Sequence, residues 1–129
     1  MNKLLILLLG LNLFGGDFFY EYGKKVEVTP TPNHLRSIDF NEGGIRYYTT
    51  KDGKQFGLKH EIILKLKDKT NDTHFFASYS ITNAKKIATK TYLIKLDEKQ
   101  DIFEFSQTLH NNPNTIYAVP NKIQKVEKR

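Results

Sequence analysis

Glu61-Ile62-Ile63-Leu64-Lys65-Leu66-Lys67 is an apolar, β-branched run punctuated by lysine, the composition of a strand, and the fold is read outward from it. Residues 68–73 are polar and turn-like. They lead into His74-Phe75-Phe76-Ala77-Ser78-Tyr79, which reads as two turns of helix with Asn71 or Asp72 as its cap. Residues 81–89 and 92–96 read as the next two strands, joined by a turn near Lys90. Ile102, Phe105 and Leu109 then fall at helical spacing, and Asp101 stands where an N-terminal cap is favoured. Asn111-Asn112-Pro113-Asn114 ends that helix, residues 115–119 form a last strand, and Pro120 breaks it. The succession strand, helix, strand, strand, helix, strand predicts an α+β domain over residues 59–121. Its expected form is ferredoxin-like, β-α-β-β-α-β, an antiparallel sheet carrying two helices on one face.

Upstream, residues 17–58 read as a β-hairpin-rich N-terminal extension. Phe18, Tyr20 and Tyr22 alternate, and Val26 and Val28 repeat the alternation beyond Gly23, the period of a half-buried strand. Thr29-Pro30-Thr31-Pro32-Asn33 interrupts it, because proline removes ladder donors. Residues 45–50 and 54–58 flank Asp52-Gly53, a dipeptide suited to a tight hairpin turn. Residues 1–16 read as a secretory signal peptide: Lys3 supplies the positive start, Leu4 to Phe14 the apolar run, and Gly15-Gly16 the small residues before Asp17. As a helix the apolar run reaches only about 16 Å, roughly half the hydrocarbon thickness, which favours export over anchoring. The expected product is secreted or periplasmic, without stable membrane insertion once the leader is removed. Residues 122–129 read as an extended C-terminal tail.

The chain has 129 residues, no cysteine and a net charge of +6. Absence of cysteine excludes disulfides, thiolate metal sites and thiol catalysis. The basic balance is spread thinly: Arg36, Arg46 and Arg129 are the only arginines, and no run of like charge reaches five, so a nucleic-acid partner is not expected. His34, His60, His74 and His110 are too far apart to make a metal-binding pair on one helix. Ser37, Ser78, Ser80 and Ser106 lie in no elbow or triad motif, and no glycine-rich phosphate cradle is present. The expectation is a non-enzymatic protein without cofactor or metal.

One segment carries a family likeness. Leu109-His110-Asn111-Asn112-Pro113-Asn114-Thr115-Ile116-Tyr117-Ala118-Val119-Pro120-Asn121 resembles the closing signature of subtilisin-type (subtilase) serine protease propeptides. Residues 61–67 and 92–96 look like the first and third strands of such propeptides, and residues 18–29 like the extension preceding some of them. No protease motifs follow: the sequence runs to Arg129. The resemblance implies a free-standing propeptide-like protein that acts in trans as inhibitor or folding chaperone of a separate subtilisin-like serine protease. It also implies where the partner is held. Tyr117, Val119 and Asn121 would meet the protease at the last strand and its end, and Lys122, Ile123, Gln124, Lys125, Val126 and Glu127 would lie in the substrate cleft. Val119 and Asn121 depart from relatives that carry carboxylates there. Two other readings stand beside this one: the N-terminal remnant of a split or truncated subtilase gene, and a periplasmic module that binds a peptide or glycan.

Overall fold

The computed structural model describes residues 17–40 and 43–123, so the leader expected over residues 1–16 and the tail from Gln124 onward lie outside the described residues. The chain runs β1 (Asp17–Glu21), β2 (Lys24–Pro30), a short 3-10 turn (Asn33–Leu35), β3 (Arg46–Thr50), β4 (Gln55–Leu66), α1 (Asp72–Ser78), β5 (Ala84–Ala88), β6 (Thr91–Lys95), α2 (Ile102–His110) and β7 (Thr115–Ile123). All strands belong to one 7-stranded antiparallel sheet, in which β1, β2, β3, β4, β6 and β5 follow in order and β7 pairs with β4.

The ferredoxin-like expectation is overturned, because the sheet is a curled half-barrel holding two helices and not a four-stranded sheet preceded by an appendage. The reason lies in β4. It is 12 residues long, and the boundary expected between residues 58 and 59 falls inside it. Its first part ladders with β3, Arg46 opposite Leu58 and Thr49 opposite Gln55, while its second part ladders with β6, Glu61 opposite Lys95 and Lys65 opposite Thr91. β7 runs along both parts, with a register shift between Leu58 and Ile62. An irregularity of this kind bends the strand and raises its twist, which is how one strand joins two stretches of sheet into a curl.

Side chains then close the curl over one core. Along β4 the alternation buries Phe56, Leu58, Ile62, Leu64 and Leu66 on the inner face. The first three strands add Phe19, Val28 and Tyr48 to that core, and α2 adds Ile102, Phe103 and Leu109. Phe103 stacks on Phe19 at 6.3 Å and meets Tyr48 edge-on at 5.1 Å, so a helix of the second half is packed by rings of the first. The Gln107 amide donates to the Phe18 carbonyl at 2.9 Å, holding β1 against α2.

Turns complete the frame. Asp52-Gly53 makes the β3–β4 hairpin as its sequence predicts, with Gly53 at φ 92°. A second hairpin, joining β1 and β2, turns on Tyr22 and Gly23, where the alternation reads as one continuous strand. Among the described residues, no helix is long and apolar enough to cross a membrane.

Candidate partner-binding face

Both helices cover the inner face of β4, β6 and β7, and strand alternation therefore sends the odd residues of β4 outward. Ladder partners share a face, so the register Lys85–Leu93, Leu93–Ile63 and Ile63–Val119 lines up one row across β5, β6, β4 and β7. The next row pairs Thr91, Lys65 and Tyr117, and a third sets Lys95 beside Glu61. Ile63, Leu93, Tyr117 and Val119 are half-buried, and Lys85 and Lys95 are exposed. The result is an apolar stripe with lysines around it. Its one acidic member, Glu61, accepts a hydrogen bond from the Asn121 amide at 2.9 Å.

The other end of this outer face is not bare. Phe40 and Ile45 lie against Gly57, and Phe40 stacks on Tyr47 at 6.2 Å with the Arg36 guanidinium 4.2 Å above the same ring. Arg36, Phe40 and Ile45, which precede β3, thus cover the β3 end of the sheet and leave the β6 and β7 end open.

The residues expected to meet a partner divide. Tyr117 and Val119 stand together on the open face. Asn121 is held by Glu61. Lys122 and Ile123 are not free tail: they continue β7 opposite Leu58 and Gly57, and the Lys122 ammonium lies 3.2 Å from Glu21 and 5.6 Å from the Phe56 ring. This corrects the start of the extended tail, because the ladder to β4 persists past Pro120. Gln124, Lys125, Val126 and Glu127 lie outside the described residues. Ile63, Leu93 and Lys85 were not singled out by sequence. Their signal was the alternation itself, readable only once it is known which face the helices cover.

Beside β7 a groove of about 520 Å³ opens between the β1–β2 hairpin and the strand, lined by Tyr20, Tyr22, Ile63, Ile116, Tyr117 and Val119 among others. The Tyr20 ring is stacked on His110 at 4.3 Å, which fixes one wall.

Titratable groups elsewhere serve the frame. Burial, and then the nearby Asp101 carboxylate, push Asp17 above the ordinary carboxylate range. Burial likewise raises Tyr48, with Arg46 opposing it. Asp101 itself is engaged as the cap of α2, accepting from the amides of Phe103 at 2.9 Å and Glu104 at 3.1 Å. A His60 ring nitrogen lies 2.7 Å from the Asp97 carbonyl, and the hydroxyls of Ser78 and Ser106 donate to the carbonyls of His74 and Phe103. Among the described residues no three His, Asp or Glu side chains group as a metal site. Comparison of the chain with protein-family models, with curated proteins and with solved structures finds no match in any of the three.

Proposed function

We propose that this is an exported, non-enzymatic binding protein that docks on a separate subtilisin-like serine protease and inhibits it or assists its folding. The observation that carries the reading is the bare outer face: the row Lys85, Leu93, Ile63 and Val119 is apolar at its centre and basic at its rim, the anatomy of a protein interface. The closing segment that resembles a propeptide signature supplies two members of that face, Tyr117 and Val119, and β7 carries the chain on toward Gln124. Face and tail would act together. The apolar row displaces water from the partner's surface, and an extended tail pairs its main chain with the cleft edges. Binding the folded protease better than the unfolded one stabilises it by mass action, so inhibition and assisted folding share one interface.

The test is hydrolysis of a chromogenic tetrapeptide by a subtilisin in the presence of the purified chain. Micromolar protein should slow the reaction. Ile63→Glu should weaken inhibition about 30-fold or more, since a charge at the centre of an apolar interface removes a hot spot. Far-ultraviolet circular dichroism of the variant should be unchanged, because Ile63 points away from the core. Removal of residues 124–129 should weaken inhibition as well. Absence of inhibition, together with no gain in the refolding yield of the denatured protease, would overturn the proposal.

A further inference from the structure

Tyr22 and Gly23 form the β1–β2 turn with φ of 52° and 74°. Left-handed backbone suits glycine, asparagine and aspartate; on a tyrosine it is strained, because Cβ crowds the carbonyl that follows. The ring gains nothing from packing, since Tyr22 is 95% exposed. Neither turn preference nor burial accounts for an aromatic residue here, and strain retained at an exposed side chain points to use.

What lies beside the ring shows the use. The groove of about 520 Å³ has Tyr20 and Tyr22 on one wall and Ile116, Tyr117 and Val119 on the other. Ile116 is itself 49% exposed, at a register irregularity between Lys65 and Leu66 that loosens the strand there. Two lysines stand beside this apolar slot. Lys24 follows the turn, and Lys65 stands opposite Tyr117 on the ladder. The one carboxylate on the wall, Glu21, is paired with Lys122 at 3.2 Å.

We infer that this groove is a recognition site for an acidic peptide segment, which inserts an apolar side chain between the hairpin tip and β7 and sets its carboxylates against Lys24 and Lys65. Tyrosine suits the role because it offers a large amphipathic contact surface with little side-chain freedom to lose. The site is continuous with the open face through Tyr117 and Val119, yet it stands without the protease reading.

A fluorescein-labelled octapeptide, aspartate and glutamate around a central leucine pair, tests it by fluorescence anisotropy on the full chain. The peptide should bind, more weakly as salt rises, and its lysine counterpart should bind about ten-fold or more weakly. Tyr22→Asn keeps the turn geometry and removes the ring. It should weaken binding about ten-fold with a melting temperature that is unchanged or raised as backbone strain is relieved, and Ile116→Gln should weaken binding similarly from the opposite wall. Equal binding of the lysine peptide, or indifference to both substitutions, would overturn the site. So would a concentration-dependent dimer dissolved by Tyr22→Asn, which would make a second copy the occupant, or uptake of a cello-oligosaccharide in place of the peptide. No protease enters this assay, so its failure and the failure of subtilisin inhibition are told apart.

Discussion

At Gly57 the absence of a side chain is what lets the loop before β3 close on the sheet. A Cβ there would lie 2.7 Å from the Ile45 Cγ2 atom and 3.2 Å from the Phe40 ring. Gly57→Ala therefore forces those side chains outward, and a loss of about 1 to 3 kcal/mol is expected in urea unfolding. Asp101 is the contrasting case, a residue whose role is written locally. It caps α2 through two main-chain amides, and Asp101→Ala should cost about 1 kcal/mol in the same measurement. The cap was legible because its partners lie two and three residues away. Gly57 was not, because Phe40 and Ile45 reach it only across the fold.

On the scale of elements, α1 spans 7 residues, short for a helix to hold without tertiary support. Asn71 caps it, accepting from the His74 amide at 3.0 Å. A clasp to β6 holds its start: the Lys90 ammonium reaches Asp72 at 2.5 Å and the Thr70 carbonyl at 2.7 Å, and the Tyr92 hydroxyl donates to the other Asp72 oxygen at 2.5 Å. Burial works to raise Asp72, but hydrogen bonds from Lys90 and Tyr92 and the Lys90 charge outweigh it and hold the carboxyl below its ordinary value of 3.8. The hydrogen bond to Asp72, then burial, pushes Tyr92 from 10.0 up to about 12. The signs follow from linkage. Asp72 contributes stability that is full above pH 3.8 and fades as pH falls through its lower folded value, whereas Tyr92 contributes stability that is full below pH 10.0 and fades as pH rises through about 12. Asp72→Asn should flatten the acid limb, cost about 2 kcal/mol at neutral pH, and return the Tyr92 titration, followed by tyrosinate absorbance, toward its ordinary value.

For the whole molecule, the half-barrel has one core to which strands from β1 through β7 contribute. Phe103 touches Phe19 and Tyr48, so Phe103→Ala leaves a cavity lined by residues far apart in sequence and should cost about 3 to 5 kcal/mol. Far- and near-ultraviolet circular dichroism should report a single coincident transition in urea, for the parent chain and for the variant. Separate transitions for the first three strands and for the remainder would contradict a shared core. The lysine-rimmed outer face makes no contribution to that core, which is why Ile63→Glu can remove partner binding without unfolding the chain.

Much of the local order was readable from the residues alone. Asp52-Gly53 announced its hairpin, Asn71 and Asp101 their helices, and the break near Lys90 its turn, because capping and turn chemistry act over two to four residues. The β1–β2 turn was missed since Tyr22-Gly23 lacks the asparagine or aspartate that marks such turns. Residues 117 and 119 were named from the closing segment, but their neighbours Ile63, Leu93 and Lys85 were not, since the row is assembled through Ile63, whose ladder partners Leu93 and Val119 lie far from it along the chain. The sequence by itself determined the periods, the caps and the breaks. Only the tertiary structure decided that β4 runs unbroken from Gln55 to Leu66, serves β3, β6 and β7 together, and so bends the sheet into a curl with one face left open. The physical reason is that propensity is a property of neighbours along the chain, whereas pairing and burial belong to surfaces that exist only once the chain has closed on itself.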